Sequence, residues 1–157
     1  VIQFLCVTKA EAYAKEFLVD MHNFANDIDG RLVVAADGAD AEVRVRQVLP
    51  MAKIVKVQSK GYIESVLDEA IEACDSGYIL RLDDDEACSE EMKKWLEDEK
   101  YHYHDHWKFP RRHFWGSQDT YIKKAPLWPD HQTRLSVKEK SGGRNGVHAG
   151  SPFGGGE

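Results

Sequence analysis

Tyr78 to Glu86, Tyr-Ile-Leu-Arg-Leu-Asp-Asp-Asp-Glu, brings four adjacent acidic side chains to the end of a largely aliphatic run. Two unit charges 4 Å apart in a surface-like dielectric repel by about 4 kcal/mol, so such a cluster calls for water or a cation. Oxygen-only ligands select a hard ion, Mg²⁺ or Mn²⁺, over zinc. These ions keep several waters and complete their shell with substrate phosphates, which points to a nucleotide or another diphosphate as the client. The competing reading is a solvated turn in which Asp85, Glu86 or Ser89 caps a following helix. Strand alternation also turns Asp84 away from Asp83 and Asp85.

The elements that must position this cluster follow from periodicity. Val1 to Val7 reads as a buried strand, and Tyr13, Phe17, Met21 and Phe24 stand at helical spacing behind it. Arg31 to Ala36 predicts a second strand ending at Asp37-Gly38. A short helix near Ala39 to Val48 is broken by Pro50, and Lys53 to Val57 predicts a third strand. Ile63, Val66, Leu67, Ala70, Ile71 and Cys74 mark the clearest helix. Tyr78 to Leu82 is the fourth strand. This alternation predicts an α/β fold with a mostly parallel sheet and helices on both faces. In such sheets ligands bind beyond the carboxyl ends of the strands. Thr8, Asp37, Gln58 and Asp83 to Asp85 all fall there, so four strands point to one crevice.

After Ser89, a candidate N-cap, Met92, Trp95 and Leu96 mark a helix ending near Lys100. Residues 101–137 turn rich in aromatics, His and Pro, as short strands and loops would be. His102, His104 and His106 alternate as if on one strand face, but without Cys or a fourth ligand they make a poor zinc site. Ser141 to Gly146 has the composition of a flexible loop.

With 157 residues, the expectation is one domain. It carries 21 basic and 27 acidic residues, a net charge of −6 with no basic concentration, which argues against nucleic acid. Cys6, Cys74 and Cys88 lack metal-ligand spacing, and a reducing cytosol suits them. No apolar stretch approaches the eighteen or so residues of a membrane span, and no basic region opens a signal peptide. The chain starts at Val1 without Met and ends in Ser-Pro-Phe-Gly-Gly-Gly-Glu, so a fragment or trimmed chain is expected.

Together these residues resemble family-2-type glycosyltransferases of the GT-A fold, which move a sugar from a nucleotide-diphosphate donor. Thr8 with Glu11, the Val33-Val34-Ala35-Ala36-Asp37-Gly38 strand end, Gly61 before a long helix and Asp83-Asp84-Asp85 occur in the family's order. Phe109-Pro110-Arg111-Arg112, then Trp128-Pro129-Asp130-His131-Gln132-Thr133-Arg134-Leu135 with Val147-His148, is similar to the branch that extends lipopolysaccharide cores. The resemblance implies one GT-A-like domain over 1–157, with a nucleotide-binding half (1–88) and an acceptor and catalytic half (89–157). It implies that Thr8, Glu11, Asp37, Asp83 and Asp84 bind the nucleotide, Asp37 at the base and Asp83 near the ribose. Asp85 and His148 would bind Mn²⁺ or Mg²⁺, and Asp130 would be the general base. Arg134 and Trp128 would contact phosphate or acceptor. The implied partners are a nucleotide-diphospho-sugar, first a UDP-sugar, and a saccharide acceptor, with inversion at the anomeric carbon.

The chain departs from the family's pattern. Lys9 and Ala10 replace an Asn-containing turn, Ala36 stands where a second acid is frequent, and the Arg-Asn of the third helix is missing near Ser65. Local readings also compete with the site roles. Thr8-x-x-Glu11 is a capping box, Asp37-Gly38 an ordinary turn, and Asp130 after Pro129 a turn initiator. Two other functions share the sheet: a non-catalytic nucleotide- or sugar-binding module, and a sugar-nucleotide nucleotidyltransferase. The latter would need a Gly-rich basic loop where Thr8-Lys9-Ala10-Glu11 stands. The missing G-x-G-x-x-G disfavours a dinucleotide dehydrogenase.

Overall fold

The computed structural model describes residues 2–60, 64–75, 77–111 and 130–140. The first strand, β1 (Gln3–Thr8), is buried at every residue. Such continuous burial requires cover on both faces, as in the interior of a parallel sheet. β2 (Arg31–Asp37), β3 (Lys53–Val57) and β4 (Tyr78–Asp83) run parallel to it. Two later strands, β5 (His106–Arg111) and β6 (Asp130–Val137), are antiparallel to each other, and β6 is antiparallel to β4. The six strands lie in the order β3-β2-β1-β4-β6-β5. This is the predicted α/β architecture.

Helices cover both faces. α1 (Ala14–Asp27) buries Ala14, Leu18, Met21 and Ala25, whose 4-3-4 spacing makes one stripe down the helix. Phe17 and Phe24 pack beside that stripe, and the Phe24 ring centroid lies 5.5 Å from that of Phe4. Tyr13, expected on this core face, is instead the N-cap and is exposed. α2 (Ala39–Val48) adds Ala41 and Val45 to the same core. α3 (Glu64–Glu72) and the turn after it bury Val66, Leu67, Ala70, Ile71 and Cys74 against the opposite face, over Leu5, Val7, Val33 and Ala35. Each fully buried Leu contributes roughly 2 kcal/mol of transfer free energy, so these two layers carry the fold.

α4 (Glu90–Glu97) starts at Ser89, whose Oγ accepts from the Met92 N–H at 3.1 Å, as the sequence predicts. The His alternation does not become a strand. His102 lies in a 3-10 turn (Lys100–Tyr103), and His106 opens β5. The Trp107 indole N–H donates to the Tyr101 carbonyl at 2.9 Å and closes this segment on itself, and Tyr78 OH on β4 donates to the His104 carbonyl and ties it to the sheet.

Candidate functional site

The strand order reverses at β1, which has β2 on one side and β4 on the other. Such a reversal opens a crevice at the carboxyl edge of a parallel sheet. The register brings the predicted residues to that edge at one level. Thr8 pairs with Ala36, Val7 with Asp83, and Asp37 with Val57.

On the β4 side, the acidic run divides its carboxylates between two directions. Asp84 turns toward β1, accepting from Thr8 Oγ1 at 2.7 Å and from Tyr13 OH at 3.0 Å. Asp83 turns toward β6, where Arg134 Nη2 reaches its Oδ2 at 3.2 Å. The same guanidinium bonds Glu86 through Nε and Nη2, both at 3.2 Å. Glu86 Oε1 also accepts the Asp83 backbone N–H at 2.7 Å, and the Glu86 N–H returns a bond to the Asp83 carbonyl. The Arg134 and Glu86 side chains are only 7% and 12% exposed, against 40% for Asp83, so the bridge is largely desolvated. Burial pushes the Asp83 carboxyl above the ordinary range despite the pull of Arg134. Cys6 is pushed well up, first by burial and then by the acids above it. The half-exposed Tyr13 is pushed up to about 12 by partial desolvation and its bond to Asp84.

Asp85 is exposed at the tip of this turn. Among the described residues, no three His, Cys, Asp or Glu side chains converge on a point where they could hold an ion. A hard ion that arrives with a nucleotide does not need three, because one or two carboxylates suffice when phosphate and water fill the shell. The oxygen donors at Asp85, with Asp83 nearby, fit that mode.

On the β2 side, Asp37 is buried, and its Oδ1 accepts the Ser59 N–H at 2.8 Å. Gly38 follows at φ +102°, a conformation most side chains avoid, and its N–H donates to the Val57 carbonyl at 2.9 Å. A cleft of about 290 Å³ opens here, with Lys9, Asp37, Arg44, Gln58 and Ser59 among its walls. A second recess of about 470 Å³ adjoins it, lined by Lys9, Glu11, Lys15 and Arg44. Lys9, on the loop between β1 and α1, and Arg44 line both. Within that loop Ala10 holds φ +54°, costing roughly 1–2 kcal/mol for a residue with a Cβ. The capping-box reading of Thr8 and Glu11 fails here. α1 begins at Ala14, and the Thr8 hydroxyl serves Asp84 and the Ala10 N–H instead.

Thr8, Asp37, Asp83, Asp84 and Asp85 thus share one edge, with Glu11 on the adjoining recess. Arg134, expected against phosphate or acceptor, has its guanidinium on Asp83 and Glu86. Asp130 opens β6 opposite Arg111 in the strand register, and its side chain lies outside the described residues. Because β6 runs antiparallel to β4, its start lies toward the edge where β4 ends. Trp128 and His148 lie outside the described residues altogether. Sequence reasoning missed the roles of Tyr13, Arg44 and Ser59. None had a local signal, since each acts on a partner far along the chain.

No protein-family profile and no curated protein sequence matches this chain. Among solved structures, it is similar to residues 1–349 of TarS from S. aureus, a glycosyltransferase. The likeness has a TM-score of 0.54 and 14% identity over 87% of this chain. The chain spans 47% of that TarS structure, about half its length. Identity this low shows the fold alone. The fold is glycosyltransferase-like, and no helix of the described residues is long and apolar enough to cross a membrane.

Proposed function

We propose that this chain is a metal-dependent glycosyltransferase module that moves a sugar from a nucleotide-diphosphate donor to a saccharide acceptor. The observation that carries the reading is the gathering of Thr8, Asp37, Ser59 and the Asp83–Asp85 turn along one carboxyl edge, at the point where the strand order reverses. The TarS-like fold supports it at the level of architecture.

In this reading the Asp37 cleft receives the nucleoside. Asp37 is pre-oriented by the Ser59 N–H, so its second oxygen can accept from a base. Asp83 approaches the ribose from the other side of β1, held in place by Arg134. Asp85, with Asp83 and by resemblance His148, would hold Mn²⁺ or Mg²⁺, which would neutralise charge on the departing diphosphate. Asp130 removes the acceptor proton as the hydroxyl attacks the anomeric carbon, so that direct displacement inverts its configuration. Trp128 is the proposed contact to the acceptor side, while Arg134 acts through the Asp83 and Glu86 carboxylates that it holds. A UDP-sugar is the first donor to test, and a lipopolysaccharide-type saccharide the first acceptor. The three free cysteines suit a cytoplasmic setting.

The bonds that already occupy Asp83 and Asp84 favour one second reading, a module that binds the donor without turning it over. Incubation with UDP-, GDP- and CDP-sugars, with and without Mn²⁺, separates the two. An enzyme releases free nucleotide from one donor in a Mn²⁺-dependent way, even by slow hydrolysis. Donor binding without release, with acceptor saccharides present, would overturn the enzymatic reading.

A further inference from the structure

We propose that Arg44 is a positioning residue, holding the β1–α1 loop in the shape that receives the donor; this rests on the donor-site reading above. Arg44 projects from α2, and its Nε and Nη2 donate to two consecutive backbone carbonyls, Ala10 and Lys9, each at 2.9 Å. β1 ends at Thr8, so among the described residues no strand neighbour pairs with these carbonyls. The planar fork of a guanidinium suits two adjacent acceptors, whereas an ammonium cannot hold both in fixed geometry.

The loop needs such a hold. Ala10 is buried at φ +54°, and a non-glycine residue persists there only where its surroundings over-determine it. Three hydrogen bonds do so: the two from Arg44, and one from the Ala10 N–H to Thr8 Oγ1 at 2.9 Å. Thr8 Oγ1 in turn donates to Asp84 Oδ2 at 2.7 Å. An unbroken line of contacts therefore runs from α2 through Ala10 and Thr8 to the acidic turn. It joins the wall of the Asp37 cleft to the end of β4. Arg44 and Lys9 line both recesses beside this loop, so a loop released from Arg44 reshapes both.

The rival role for Arg44 is direct charge attraction to a phosphate. Arg44→Lys keeps the charge and loses the fork, and Arg44→Met loses both. Three quantities are measured on the full chain and both variants: the affinity for UDP, GDP and CDP with Mn²⁺, the melting temperature, and amide hydrogen exchange at Ala10, Glu11 and Ala12. Positioning predicts that both variants lose affinity to the same extent, on the order of tenfold, through lost pre-organisation. Exchange rises in the loop alone, and melting is little changed. Lys restoring affinity would overturn the proposal in favour of charge. Unchanged loop exchange, or a rise spread over the whole chain, would also overturn it. If the unaltered chain binds no nucleotide, the donor reading falls separately and the exchange measurement alone decides whether Arg44 holds the loop.

Discussion

The two sides of the carboxyl edge hold their carboxylates by different means. On the β2 side Asp37 is fixed by a backbone N–H two residues past the end of its neighbour strand β3, so one element pair suffices. On the β4 side the turn depends on side chains from three remote places: Arg134 on β6, Thr8 at the end of β1 and Tyr13 at the start of α1. A site held by backbone tolerates surface change, whereas one held by a buried ion pair fails when a single partner is removed. The β4 side should therefore be the more fragile of the two.

Removing the guanidinium breaks this contrast most severely. Arg134→Met removes the guanidinium that bridges Asp83 and the largely desolvated Glu86, and should cost about 3 kcal/mol at pH 7, measured by urea unfolding. A loss below about 0.5 kcal/mol would show that the bridge does not hold the turn.

Acidity sharpens the same point. The folded-state pKa of Asp83 is raised above 3.8, chiefly by burial, so the folded chain binds that proton more tightly than the unfolded one. The contribution of Asp83 is therefore fully present below about pH 3.8 and is lost as pH rises through the folded-state value. Arg134→Met removes a charge that lowers this value, and thus the penalty of the variant should be smaller at pH 4 than at pH 7. A penalty that does not change with pH would contradict this.

A smaller effect is expected on the β2 side. Asp37→Ala strands the Ser59 N–H and should cost about 1 kcal/mol, while Asp37→Asn, which keeps an acceptor oxygen, should recover most of it. Equal losses in the two variants would mean that the carboxylate charge matters more than its bond to Ser59. Asp85→Ala should change stability least, by less than about 0.5 kcal/mol, because the side chain is exposed at the turn tip. A large loss there would assign Asp85 a structural role.

Much of the sheet was legible because parallel strands read as largely apolar runs: the buried β1 and β2 most fully, β4 with Arg81 inside its run, and the edge strand β3 as a shorter run between lysines. The carboxyl-edge residues were legible for the same reason, since a strand end is visible where the run stops. What was not legible is non-local. Thr8 and Glu11 have the spacing of a capping box, but Asp84, distant in sequence, takes the Thr8 hydroxyl and the helix starts later. Tyr13 stands at helical spacing with Phe17, yet spacing does not say where a helix begins, and Tyr13 is its exposed N-cap. The alternation of His102, His104 and His106 imitates a strand, but the His102 and His104 N–H groups donate to the Glu99 and Tyr101 carbonyls, and the chain forms a 3-10 turn there. Arg134 carried no sign of its ion pairs, because they depend on β6 lying beside β4.

The most direct test of the shared edge as a nucleotide site is calorimetric titration of UDP, then GDP and CDP, with and without Mn²⁺, on this chain and on Asp85→Ala. Metal-dependent binding of one nucleotide, lost in Asp85→Ala, is the predicted result. Binding of no nucleotide under any of these conditions would contradict the assignment of this edge as the donor site.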